Sequence, residues 1–484
     1  VWCKEEMLTK MDYMNIAKSI LCESKITQDI MSKSLIILDR MQNKQFNKKV
    51  EYIEKPFINC TLPRIPLQIT VCSYDKPSGM RAIKIILLDF DKQKMGYWVV
   101  QQPPVYEMEG LYRRYVPKHK SEYLRLKIPF IGLSKPHCVH FSKTGVLCAT
   151  NGFFIIYIDT MNNYAYLGPD DFVKSAPWHY SKQGGLSPDG EKLYFVKWPL
   201  TDWVKRIDNI NPTVRCTVGF TDLKTYTEHK LLEINYQEEI HEITCSPNEK
   251  HLVCGTFKQE LLYPYPKIPF SLYKKAYQTS HKKGGIQTQD LVTIRLIDRS
   301  IWLTRIPYPT IGHFVFNPID SEEFYLSAHN LFYHQLTTYI NGRGYIVKLR
   351  IFDGHTDIVS VFEEDELYRV FQHDIFIYRN RTYIAVVSYS NILYIIDANT
   401  MQLYRKIPLG KKLIMDFTYG CYMSTDDPDI CFTANASYDG RYIIVGSRNM
   451  FLAYDMEEDT LIPYMDSIPS KDGIGIGHTK SLNR

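Results

Sequence analysis

Seven times along the chain an apolar, β-branched or aromatic run ends in aspartate, passes through a short polar turn and resumes as a second strand-like run. The runs are Ile83–Leu88 with Asp91, Phe153–Ile158 with Asp159, Cys216–Phe220 with Asp222 and Val292–Ile297 with Asp298. They continue with Tyr345–Phe352 and Asp353, Ile392–Ile396 and Asp397, and Phe451–Tyr454 and Asp455. Successive aspartates lie 68, 63, 76, 55, 44 and 58 residues apart. A carboxylate at the head of a turn can accept the turn's own N–H groups, so each unit reads as a hairpin. Upstream of several hairpins stands a second signature, a strand, a tight Ser-Pro-type turn and another strand. It occurs around Ser187-Pro188, Ser246-Pro247, Asn317-Pro318 and Ser437-Tyr438.

Two hairpins in series make a four-stranded antiparallel meander of about 45–60 residues, the unit of a propeller blade. On these residues the chain resembles the β-propeller superfamily in a divergent form without the WD repeat, over about residues 57–484. Gly354-His355-Thr356-Asp357 imitates the opening of a WD repeat, yet it follows Asp353 and no Trp-Asp dipeptide comes at repeat spacing, so it reads as a turn. The resemblance implies an all-β propeller of seven four-stranded antiparallel blades, or eight if the N-terminal residues add one. Residues 1–56 are a lead-in or a first partial blade: Met7, Met11, Met14 and Ile20 fit one helix face, while 35–39 with 50–53 imitate the hairpin. An open propeller leaves two unpaired edges, so the C-terminal 473–482 segment is expected to close the ring against N-terminal strands. The Tyr-, Pro- and Lys-rich insertion 261–288 is expected to lie on one face of the ring.

Composition narrows the function classes. The 484 residues carry 58 basic and 53 acidic side chains, a net charge of +5, which is no nucleic-acid footprint. No run of 18 apolar residues occurs, so no transmembrane helix is expected. Eleven cysteines without paired spacing, several inside apolar runs (Cys138, Cys148, Cys216, Cys245, Cys254), favour a reducing, cytoplasmic setting. There is no Walker loop, Rossmann glycine pattern, HExxH or GxSxG, so no nucleotide cofactor is expected. Gly473, Gly475 and Gly477 alternate, which suits a strand lying close to another backbone.

Histidines gather near the beginnings of the blades' first strands. His137 lies five residues before Ser142, His241 five before Ser246 and His313 four before Asn317, and His373 opens another inner strand. His179, eight residues before its Ser-Pro turn, would sit at the channel mouth. Equivalent positions in successive blades occupy equivalent places around a ring, so His137, His241, His313 and His373 are expected to converge on an axial cavity. Neutral imidazole suits iron, manganese, zinc or copper. Glu242 and Asp374, each adjacent to one of these histidines, are expected to point the opposite way along their strands. Residues 311–329 bear a faint resemblance to a segment of oligogalacturonate lyases and 373–383 to one of carotenoid cleavage oxygenases, two propeller groups with axial histidine-bound metals. Neither resemblance assigns a catalytic residue. The reading is a propeller whose histidine-lined axis binds a transition metal or a small molecule, with lyase- or oxygenase-type catalysis as its enzymatic form. The alternative is a non-catalytic scaffold for protein partners.

Overall fold

The computed structural model describes residues 48–49, 52–56, 68–75, 81–89, 94–101, 138–142, 144–150, 155–168, 178–181, 184–199, 214–236, 239–257, 289–306, 310–329, 332–334, 337–339, 343–368, 370–388, 390–410, 433–437, 439–446, 451–463, 475–476 and 480–481. Every element among them is a strand, and no helix long or apolar enough to cross a membrane is present among them. His137, the stretch 261–288 and residues 35–39 lie outside the described residues.

Among the described residues the strands form seven antiparallel sheets of four to six strands and one two-stranded ribbon, Phe332–His334 with Thr337–Tyr339. The 138–168 sheet runs Cys138–Phe141, Val146–Thr150, Ile155–Asp159, Tyr164–Gly168, with Lys48–Lys49 added outside. In the 178–236 sheet, Trp178–Tyr180 and Gly185–Leu186 share the inner edge of Lys192–Pro199, followed by Val214–Asp222 and Thr227–Tyr236. Then come Glu239–Cys245, His251–Phe257, Gln289–Arg295 and Ile301–Ile306, and next Thr310–Phe316, Glu323–His329, Arg343–Phe352 and His355–Tyr368. Val370–Tyr378, Arg381–Ser388, Ile392–Asp397 and Gln402–Pro408 make the 370–408 sheet, and Thr433–Ala436, Tyr442–Gly446, Phe451–Asp455 and Thr460–Pro463 the 433–463 sheet.

The last sheet closes the ring. Tyr52–Pro56, Lys94–Gln101, Arg81–Asp89 and Gln68–Asp75 lie in that order from outside inward. The inner edge is supplied by the C-terminus: Gly475–Ile476 pairs Ser73 and Cys72, and Lys480–Ser481 pairs Ile69 and Gln68. Lys480–Ser481 in turn packs against Thr433–Ala436 on one side and Cys138–Phe141 on the other. The first strand of each sheet from 239 to 436 likewise touches the first strand of the next. First strands inside and fourth strands outside is the arrangement of a β-propeller, and the expected closure by the 473–482 segment is present.

Packing follows from this layering. A middle strand is covered on both faces by neighbouring sheets, so Arg381–Ser388 and Ile392–Asp397 are almost continuously buried. The outermost strands alternate with solvent, as Ile301–Ile306 does. Core clusters therefore bridge adjacent sheets, one joining Phe324, Leu326 and Leu349 to Val253 and Leu291 and another joining Leu393 and Ile395 to Ile443 and Val445. Each such side chain contributes about 1.5–3 kcal/mol on burial. Polar ties cross the same seams. Tyr194 and Lys192 both bond Glu249 at 2.6 Å, and Lys348 Nζ donates to the Ala398 carbonyl at 3.2 Å. Lys348 also meets Glu323 at 2.9 Å.

The two sequence signatures are the turns. Asp397 Oδ1 accepts from Asn399 N at 3.0 Å and Thr400 N at 2.9 Å, and Asp159, Asp222 and Asp455 act alike. In the inner hairpins Ser246 Oγ donates to Asn248 and accepts from His251 N, as Ser187 and Ser437 do with Asp189 and Asp439. Lys48–Lys49 joins the outer strand Tyr164–Gly168, and Tyr52–Pro56 joins Lys94–Gln101.

Candidate functional site at the bulged inner strands

An inner strand whose ladder is regular would send alternate side chains to the two neighbouring sheets. Three consecutive inner strands break that rule at one level. Ile240 pairs Thr256 and Glu242 pairs Gly255, so His241 is an extra residue. Ile311 pairs Ala328 and Phe314 pairs Leu326, leaving Gly312 and His313 opposite Ser327 alone. Val370 pairs Ser388 and His373 pairs Val386, leaving Phe371 and Gln372 opposite Val387. Each is a β-bulge, which bends its strand and re-aims the side chains around it. The displaced His313 N–H is satisfied by Ser327 Oγ at 3.0 Å.

The bulges decide which residues meet. Glu242 lies four residues before Ser246 as His313 lies four before Asn317, so Glu242, and not His241, is the positional counterpart of His313. Its carboxylate Oε2 stands 3.2 Å from His313 Nδ1, an ion-pair distance, with both side chains 4% exposed. Glu242 was expected to point opposite to the adjacent His241, whose side chain lies outside the described residues; its carboxylate meets His313 on the next sheet. Asp374 faces the opposite neighbour, where its Oδ2 accepts from Asn435 Nδ2 at 3.1 Å and from Ala436 N at 3.0 Å. Gln372 adds Nε2–H to Asn435 Oδ1 at 3.3 Å.

His373 is buried and turned toward the 310–368 sheet, where Nε2 lies 3.2 Å from the Tyr325 carbonyl. A carbonyl only accepts, so this bond assigns the proton to Nε2 and leaves Nδ1 as a bare lone pair. Nδ1 is buried and has no hydrogen-bond partner among the described residues. Burial first, and then the nearby His313, push the imidazole pKa down to about 3, against an opposing pull from the Tyr325 carbonyl. The ring is neutral at any ordinary pH, the state in which imidazole ligates metals or accepts hydrogen bonds. His313, backed by the Glu242 carboxylate, has the form of an imidazole oriented from behind.

Of the other histidines, His241 stands in strand Glu239–Cys245 and His179 in Trp178–Tyr180 opposite Trp198, and their side chains lie outside the described residues. Sequence reasoning passed over His140, which is buried in the inner strand Cys138–Phe141. It also passed over Glu242 as a partner, because a bulge has no signature in side-chain alternation. Among the described residues no group of three or more His, Cys, Asp or Glu could hold a metal ion. The described cysteines Cys148, Cys216, Cys245 and Cys254 are free and buried, as expected of core thiols.

No family model matches the sequence, and no curated protein matches it. Solved structures similar to it are propellers. The apocarotenoid oxygenase of Synechocystis, in a mutant form, shares 9% identity at a TM-score of 0.48, covering 91% of this chain and 98% of its own. The dihydro-heme d1 dehydrogenase NirN, in complex with DHE, shares 11% at 0.43, covering 88% and 76%. The β-propeller domain of Myceliophteria thermophila Cps50 (Swd1) shares 10% at 0.42, covering 72% and 90%. At such identities the likeness concerns fold alone, and the propeller arrangement rests on the sheet topology.

Proposed function

We propose that the ring binds a transition-metal ion at the level of the inner-strand bulges. His373 and His313 supply two imidazoles, His137 and His241 the others, and His179 lines the mouth through which a small molecule reaches the ion. The observation that carries this reading is the bare, buried Nδ1 of His373, whose tautomer is set by the Tyr325 carbonyl. A buried acceptor left without a partner costs about 1–3 kcal/mol, which a ligand at that nitrogen would offset. Glu242 supports the reading from behind His313, since a carboxylate on the far ring nitrogen fixes ring orientation and raises ligand basicity. Iron, manganese, zinc and copper all accept imidazole, and the bound ion would supply Lewis-acid or redox chemistry to a small molecule in the channel. The same reading takes seven blades, since the sheet completed by the C-terminus is followed around the ring directly by the 138–168 sheet.

Elemental analysis of protein purified without an affinity tag tests it. One of these metals at about one equivalent per chain, lost in His373→Ala while the fold persists, is the expected result. A blank in the wild type that stays blank after dialysis against each metal would move the function to metal-free ligand binding or to a protein scaffold.

A further inference from the structure

The outer strands of the sheets guard their open edges in two ways. Tyr164–Gly168 and Lys94–Gln101 are covered by antiparallel addition of Lys48–Lys49 and Tyr52–Pro56. Thr227–Tyr236, Ile301–Ile306, Gln402–Pro408 and Thr460–Pro463 carry Lys230, Arg305, Lys406 with Pro408, and Pro463, residue types that discourage an incoming strand. His355–Tyr368 does neither. It is 14 residues long, contains no lysine, arginine, proline or glycine, and no described strand pairs with its outer edge. Ile358, Val359 and Val361 along it are 37%, 52% and 37% exposed.

Charge selects the occupant. Asp357, Glu363 and Asp365 on this strand are exposed. A second copy pairing antiparallel about Ser360 would set Asp357 opposite Glu363. Like charges directly opposite are destabilising. A strand bearing lysine or arginine at those places would meet opposite charge instead. The extra residue Val359 interrupts the ladder to Arg343–Phe352, which keeps an added strand short and blocks open-ended stacking. We propose that this edge takes up a short extended segment of a partner protein, apolar in alternation and flanked by basic residues. The binding mode is strand addition, in which backbone bonds give affinity and side chains give selectivity.

The probe is a fluorescein-labelled peptide alternating lysine and valine, titrated by anisotropy against the full chain, with a glutamate–valine peptide as counterpart. The expected result is saturable binding of the basic peptide that weakens with salt, with the acidic peptide at least about tenfold weaker. Asp357→Lys with Glu363→Lys should weaken the basic peptide by about tenfold or more in a protein that still unfolds in one cooperative transition. Equal binding of the two peptides, no binding, or binding indifferent to the double substitution would overturn the proposal. So would sedimentation showing that the protein alone dimerises through this edge. Slow hydrogen exchange at the outward amides of 355–363 in the free protein would assign the edge to the chain's own residues and overturn it as well.

Discussion

Glu242 Oε2 and His313 Nδ1 lie 3.2 Å apart although they come from different sheets, and both side chains are shut away from solvent. Each of their inner strands carries one extra residue at that level. The contact ties two blades near the axis with groups that are costly to bury singly.

Removing the carboxylate should therefore be felt. Glu242→Ala is expected to lower stability by about 1–3 kcal/mol, because the His313 ring loses the group facing it. Glu242→Gln, which keeps shape and hydrogen-bonding capacity, should cost less. Urea denaturation of the two variants measures the difference, and two variants indistinguishable from wild type would remove the pair from the account.

Acid should loosen the ring at His373. Its pKa is pushed down to about 3 in the folded protein, against an ordinary value of 6.5. Below 6.5 the unfolded chain takes up a proton that the folded protein refuses, so stability falls as pH drops from about 6.5 toward 3 and is indifferent to this group above that range. From pH 7 to pH 5 the loss attributable to His373 is about 2 kcal/mol. His373→Gln, compared with wild type across that interval, should show a slope shallower by this amount. Parallel slopes would mean that the imidazole is solvated.

The closure strands carry the last seam. Deleting residues 473–484 removes both C-terminal strands that complete the 68–101 sheet, and with them the contacts to Thr433–Ala436 and Cys138–Phe141. The melting temperature of the whole protein is expected to fall, since the inner edge of the 68–101 sheet is bared and the sheets on either side lose their contacts to it. A truncated protein with an unchanged transition would contradict closure there.

Gly440 tests the seam between the 370–408 and 433–463 sheets. Its φ is +69°, and a Cβ would overlap the Ile377 carbonyl of the adjoining blade. Gly440→Ala combines left-handed strain with that collision and should destabilise by well over 1 kcal/mol. Gly354→Ala, at φ +81° in open space, isolates the strain alone and should cost less.

Much of the fold was legible because its turns announce themselves chemically. Asp159, Asp222, Asp397 and Asp455 cap their turns through local bonds that a sequence pattern can register. The inner hairpin of the 370–408 sheet escaped that pattern. It turns on Arg379 and Asn380, both at positive φ, and uses no Ser-Pro pair. The histidines were found, but the groups that face His313 and His373 were not. Counting back from the turns assumes one residue per rung, and an extra residue at His241, at Gly312–His313 and at Phe371–Gln372 defeats the count. Glu242 as the partner of His313, and the Tyr325 carbonyl as the group that sets the His373 tautomer, depend on contacts between blades that no local pattern encodes.

The proposed metal site rests on His373 offering a bare ring nitrogen to a ligand at the bulged inner strands. Histidine-selective nitrogen-isotope labelling with NMR observes that nitrogen directly. The account predicts a neutral, Nε2-protonated ring across the neutral range whose Nδ1 signal moves on addition of one equivalent of metal, with His313 moving in step and Glu242→Ala weakening the response by about 10–100-fold. A His373 signal showing a protonated Nδ1, or one unmoved at saturating iron, manganese, zinc and copper, would contradict it.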